Sequence, residues 1–222
     1  MKSLRVFALG FITMTVIVSY AQKTISEGTI TYDINIQPKS NGGKSNGVLS
    51  GAKLTVFLKG ALSRTDMTSS LGTEITLHNT KLGNAAILKE YSGQKLMITL
   101  TRENWETRNK KFDGIVFENS NETKVILGYN CKHALAKLKD GTSISVYYTY
   151  DLMAMNKDFL QAFKNLSGFP MEFEFETPKL IFKYQIASID LSPLSVSKFD
   201  FPKSGYRFMT YEENKNGKSE EE

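Results

Sequence analysis

Apolar and polar residues alternate through positions 28–37, with Ile30, Tyr32, Ile34 and Ile36 on one side and Thr29, Thr31, Asp33 and Asn35 on the other. Successive side chains of an extended chain point to opposite faces, so a period of two predicts a half-buried β-strand. Residues 53–59 repeat the pattern with Leu54, Val56 and Leu58, and Gly60 ends it. The stretch between them, 38–52, is rich in Ser, Asn and Gly and predicts a mobile loop joining two strands. Short β-type segments follow at 62–68, 73–78, 85–91 and 95–101, separated by glycine-containing turns. That rhythm predicts an antiparallel meander. Strands are expected again at 115–118, 124–127 and 130–138.

Two hairpins can be registered from residue order. A three-residue loop at Lys139-Asp140-Gly141, with Gly141 in the left-handed conformation, sets Ala136 opposite Ile144, Ala134 opposite Val146 and Lys132 opposite Tyr148. The other face then carries Cys131, His133 and Leu135 against Thr149, Tyr147 and Ser145. A two-residue loop would place Lys137 opposite Ile144 and break the apolar face. Further on, pairing 171–177 with 180–189 across Pro178-Lys179 sets Phe175 beside Phe182, Phe173 beside Tyr184 and Glu174 beside Lys183; proline is unusual in so tight a turn, and a loop longer by two residues would bury the same face. Between the hairpins the period changes. Leu152, Met155, Phe159, Phe163 and Leu166 recur at steps of three and four, which predicts the one main helix over 151–166, started by Asp151 or Asn156 and closed by Gly168 and Pro170. The polar end, 212–222, finishing in Glu220-Glu221-Glu222, predicts a disordered tail.

Composition adds exclusions. The 222 residues are 41% hydrophobic, enough to bury a sizeable core in a single β-rich domain over 22–211. One cysteine rules out an intramolecular disulfide and any multi-thiolate metal site, and two histidines leave few general bases. The first residues, Met1-Lys2-Ser3-Leu4-Arg5, precede an apolar stretch through Val18 and then Ser19-Tyr20-Ala21. A basic start, a short apolar region and small residues before the cut describe a cleaved signal peptide over 1–21, and hence a periplasmic or extracellular protein. A membrane anchor needs roughly 20 apolar residues, more than this run supplies. Loss of Lys2 and Arg5 would lower the formal charge from +5 to about +3 and remove the main support for an acidic or nucleic-acid partner. The basic residues Arg102, Arg108, Lys110 and Lys111 around Trp105 read as a solvated loop.

Catalytic patterns are sparse. Cys131 and His133 share a strand face with His78 as a distant third, too few ligands for a closed zinc site, and residues two apart on a strand lie roughly 6 to 7 Å apart, too far for a nucleophile and its base. A buried thiol beside a hydrogen-bonded imidazole is the plainer reading. The alternating Glu172, Glu174 and Glu176 read as the wet face of a strand, and Arg64 with Asp66 as a structural ion pair. Phosphate-loop, dinucleotide, nucleophile-elbow and His-Glu-x-x-His signatures are missing from the sequence. The residues thus point away from an enzyme and imply no cofactor.

Gly128-Tyr129-Asn130-Cys131-Lys132-His133-Ala134, the Asp140-Gly141 hairpin, Gly168-Phe169-Pro170 and Phe199-Asp200-Phe201-Pro202-Lys203-Ser204-Gly205-Tyr206 together resemble the uncharacterised secreted Bacteroidetes proteins related to the GLPGLI family. More distantly they are similar to outer-membrane lipoprotein carriers of the LolA/LolB type. The resemblance implies a strongly curved antiparallel sheet, an unclosed β-barrel with helical matter on its concave side. The expected function is an exported, non-enzymatic binding protein that holds a lipid, an acyl chain or a lipidated partner in that hollow. The expected lining is Ala134, Ala136, Ile144, Val146, Phe159, Phe163, Phe173, Phe175, Phe182 and Tyr184. The alternative is an envelope scaffold whose core is filled.

Overall fold

The computed structural model describes residues 22–39 and 51–219; residues 1–21, where the signal peptide is expected, the centre of the 38–52 loop and the terminal glutamates lie outside the described residues. The chain is mainly β. In order it forms β1 (Lys23–Ile25), β2 (Glu27–Pro38), β3 (Ala52–Lys59), β4 (Leu62–Ser69), β5 (Gly72–Asn79), β6 (Ala85–Tyr91) and β7 (Gln94–Leu100). Next come α1 (Arg102–Asn109), β8 (Glu118–Ile126), β9 (Tyr129–Lys137), β10 (Ser143–Thr149), β11 (Leu152–Ala154), β12 (Phe169–Glu176), β13 (Leu180–Asp190), β14 (Arg207–Thr210) and α2 (Tyr211–Ser219). Twelve strands make one sheet in the order β14-β7-β6-β5-β4-β3-β2-β13-β12-β10-β9-β8, antiparallel except for β14, which runs parallel to β7. Its ends do not pair, so the curved sheet stays open. β1 and β11 form a separate parallel pair.

The meander runs from β2 to β7, and both hairpins have the expected register. Ala136 faces Ile144, Ala134 faces Val146 and Lys132 faces Tyr148. Phe175 faces Phe182, Phe173 faces Tyr184 and Glu174 faces Lys183. Gly141 sits at φ 86°, and the Asp140 carboxylate accepts from Thr142 N at 2.9 Å, closing the first loop. At the second turn Thr177 and Leu180 exchange main-chain and hydroxyl hydrogen bonds across Pro178-Lys179.

Four expectations fail for physical reasons. Residues 151–166 are not a helix: 152–154 are committed to the β1 ladder, and the remainder is irregular chain with two 3₁₀ turns, Lys157–Phe159 and Gln161–Phe163. Met155, on the expected apolar stripe, is 61% exposed. The basic loop around Trp105 is instead α1, because Thr101 caps it reciprocally with Asn104, and no periodic apolar face was there to announce it. The polar end is helical through Ser219, where Thr210 and Glu213 close the same kind of box. Residues 115–117 leave the sheet, so β8 starts only at Glu118.

The concave face holds the main core, built on Ile30, Tyr32, Val56, Ile144, Val146 and Phe173. On the opposite face of β5–β7, Ile75, Leu77, Leu88 and Met97 are covered by Phe201 and Tyr206. Those two belong to a strap, residues 191–206, that crosses from β13 to β14. Leu194 N and Lys59 both bond the Glu27 carboxylate, Arg64 holds Asp66 at 2.7 and 2.9 Å and reaches the Lys198 carbonyl at 3.1 Å, and Tyr206 donates to Glu90. The Arg64–Asp66 pair is therefore structural, as its residue spacing suggested.

Candidate ligand-binding hollow

β10, β12 and β13 bring their apolar alternates to the concave face, and β2 supplies Tyr32 and Ile34 beside them. Phe173 is at the centre: its ring centroid lies 5.3 Å from Tyr32, 5.8 Å from Phe175 and 4.6 Å from Tyr184, the last nearly parallel. Tyr32 is fully buried and donates to the Pro170 carbonyl at 2.9 Å; burial raises its phenol far above the usual range. Pro170 lies beside the register shift at Tyr147 and Tyr148, where an interior strand tolerates a proline.

The two 3₁₀ turns lie over this aromatic floor. Phe163 is 4.7 Å from Phe173 and 6.0 Å from both Phe175 and Phe117, while Phe159 stacks on Phe169 at 5.9 Å. The segment is tied by Asn165 Nδ2 donating to the Ile115 carbonyl at 3.2 Å and by Lys164 to Asp158 at 3.4 Å. It is a plug made of side chains rather than of a regular helix. Beside it a groove of about 210 Å³ remains, walled by Trp105, Arg108 and Phe112 on one side and Phe159, Phe163 and Phe175 on the other.

The expected lining residues separate into three groups. Phe159, Phe163 and Phe175 line that groove. Ala136 and Ile144 floor a second space, of about 480 Å³, on the far side of the 111–118 connection. Ala134, Val146 and Phe173 are buried within the core, and Phe182 and Tyr184 lie half-buried on the same face. Residue spacing named Trp105 only as the centre of a solvated basic loop and His78 only as a distant third ligand, and did not place either of them, or Phe117, at the hollow. The capping pattern at Thr101 and Asn104 would have located the first; the others become neighbours only through tertiary packing.

His78 is 5% exposed, stacks on Trp105 at 4.2 Å, and has no hydrogen-bond partner at Nδ1. Burial holds its pKa below the ordinary value; the Asp158 charge opposes that, and Arg102 and Lys164 reinforce it. The fold therefore favours neutral His78. Its contribution is complete above about pH 6.5 and is lost as pH falls toward the lowered native pKa. Between about pH 7.5 and pH 5.5 the wild type is expected to lose more thermal stability than His78→Gln. Equal losses in paired melting curves would remove His78 as the cause.

On the convex face His133 is bracketed by Ser120 Oγ at 2.8 Å and Ser145 Oγ at 2.9 Å. Cys131 is buried, which pushes its thiol up to about 11, so it is a poor nucleophile at neutral pH. Among the described residues no group of three His, Cys, Asp or Glu side chains is placed to hold a metal ion. Glu172 corrects the wet-face reading: it is 3% exposed and bridged by Lys124 at 2.7 Å and Lys183 at 3.1 Å. Burial raises its carboxyl, but the two ammonium groups outweigh that and hold it below the usual range. Among the described residues no helix is long and apolar enough to cross a membrane.

No family model matches the chain, and no curated protein matches it. Among solved structures the fold is similar to PNGF-II, with a TM-score of 0.51 at 13% identity over 86% of this chain. The chain spans only 33% of the PNGF-II chain, about a third of its length. Weaker likenesses are to MucB (TM-score 0.35, 8% identity, 81% of this chain and 58% of that one) and to a β-barrel-like protein of the DUF1849 domain from Brucella abortus (TM-score 0.36, 8% identity, 75% and 98%).

Proposed function

We propose that this chain is an exported, non-enzymatic binding protein that takes an acyl chain, from a lipid or a lipidated partner, on the concave face of its open sheet. The observation that carries the reading is the groove between Trp105 and the Phe159–Phe163 plug, floored by Phe175 and continuous with half-buried aromatic rings. Its 210 Å³ is below the roughly 300 Å³ at which small-molecule pockets begin, so the acyl chain enters by displacing the plug. The plug suits that role because 3₁₀ turns make few and poorer hydrogen bonds. Kinship with the GLPGLI-related proteins and LolA/LolB-type carriers belongs to the same proposal; it is supported by the strap motif from Phe199 to Tyr206, whose Phe201 and Tyr206 pack on the sheet. Export places the protein in the periplasm or outside the cell, with Gln22 as its first residue.

Trp105 is the single tryptophan of the chain, so its emission reports on the groove. Titration with palmitate should give a saturable shift in Trp105 fluorescence, and native mass spectrometry should show one retained palmitate. Protein that carries no lipid from its own envelope, retains no palmitate and shows no spectral change would end the carrier reading. That result would favour an envelope scaffold, the reading that the close packing of Phe163 on Phe173 supports.

A further inference from the structure

At the end of β9 a strand edge lies open beside a groove. β8 pairs with β9 only up to Glu118 opposite Leu135, whereas β9 continues to Lys137, which lies opposite Ser143 of β10. Residues before Glu118 turn inward because Ile115 is buried, its carbonyl accepts from Asn165, and Phe117 stacks on Phe163. The end of β9 therefore has a strand neighbour on one side. In an antiparallel ladder alternate residues aim both backbone groups the same way. Leu138 N donates to the Thr142 carbonyl at 2.8 Å and Ala136 faces Ile144, so Lys137 directs its N–H and C=O away from β10 and into the gap.

The gap is a groove of about 480 Å³. Three residues of strand, about 3.3 Å each, at one strand spacing and one sheet thickness fill on the order of 500 Å³. Val116, 73% exposed, and Leu135, 49% exposed, give it apolar lips. Three lysines on its lining, Lys111, Lys137 and Lys139, exceed the two carboxylates, Asp113 and Glu118.

We propose that this gap is a docking slot for an extended peptide segment of a partner protein, which adds as a short strand to β9 at Lys137. The segment carries apolar side chains at alternate positions and a carboxylate facing the lysines. Main-chain hydrogen bonds supply the affinity and the apolar lips and basic rim the selectivity. The slot stands on the far side of the 111–118 connection from the acyl groove and does not depend on that reading.

The probe is a blocked pentapeptide of alternating valine and glutamate, added to the full chain. Saturable binding is expected, with the Lys137 amide newly protected from hydrogen exchange. Lys137→Pro removes the donor aimed at the slot and none from the β10 ladder, and should weaken binding roughly tenfold or more. Should that variant fail to fold, a peptide N-methylated at alternate amides gives the same test on the unmodified protein, with the same loss expected. Equal binding of the methylated peptide, displacement of the peptide by palmitate, or closure of the slot by a second copy of this chain at higher protein concentration would each overturn the proposal.

Discussion

Replacing Phe173 by alanine is expected to cost about 3–5 kcal/mol, the range for deleting a fully buried phenylalanine. Phe173 is 1% exposed, and its ring touches those of Tyr32, Phe163, Phe175 and Tyr184 within 6 Å, so none of its surface regains water when the ring is removed. The neighbours come from four different segments, each held by its own ladder or turn, and cannot all relax into the space. Urea denaturation checks the value; for a chain of this size it corresponds to a fall in Tm of roughly 6–20 °C. The measurement also bears on function. A loss below about 1 kcal/mol would mean that Phe173 faces slack space rather than a packed core, as a ready-made cavity would require. The expected large loss instead means that no ready-made cavity lies at Phe173, so the proposed acyl chain would have to displace the plug. Phe182→Ala, on the same face but half-buried, should cost clearly less.

Gly168→Ala should cost about 3 kcal/mol, the upper end for overpacking. A Cβ there would lie 2.3 Å from the Thr149 carbonyl oxygen and 2.7 Å from the Tyr148 ring. Neither can yield, because Tyr148 and Thr149 are fixed opposite Pro170 and Phe169 in the β10–β12 ladder. Gly93 is the control: a Cβ there meets nothing within 4 Å, but φ is +78°, so Gly93→Ala should cost only the left-handed strain, about 1 kcal/mol. Equal losses in the two variants would show that crowding at Gly168 is not what sets its cost. This assigns a physical role to the Gly168-Phe169-Pro170 motif. The glycine lets the chain pass against β10, and Phe169 then stacks under the plug.

Much of the architecture was legible because it is local. The β9–β10 and β12–β13 registers follow from which pairing keeps one face apolar, and a slip of one residue would expose that face, so residue order and burial agree. The candidate site was legible only in part. Phe159, Phe163 and Phe175 do share a groove, but the helix that was to carry the first two does not exist. A helical spacing in 151–166 loses to a backbone demand made more than a hundred residues away, where β1 takes 152–154 into a parallel ladder. Glu172 and His78 were misjudged or passed over for the same reason, since burial is a property of what packs above a strand and not of the strand.

By itself, then, the sequence determined a β-rich chain, its hairpins, the face each strand buries and the scarcity of catalytic groups. These depend on period, turn chemistry and composition, which act over a few residues. Only the tertiary structure decided that β13 pairs with β2, that the strap crosses the convex face to place β14 beside β7, and that a plug of 3₁₀ turns fills the hollow while β9 keeps an open edge at Lys137. Those outcomes depend on contacts between residues far apart in the chain, where many pairings have similar local merit. The total area buried and the hydrogen bonds satisfied choose among them.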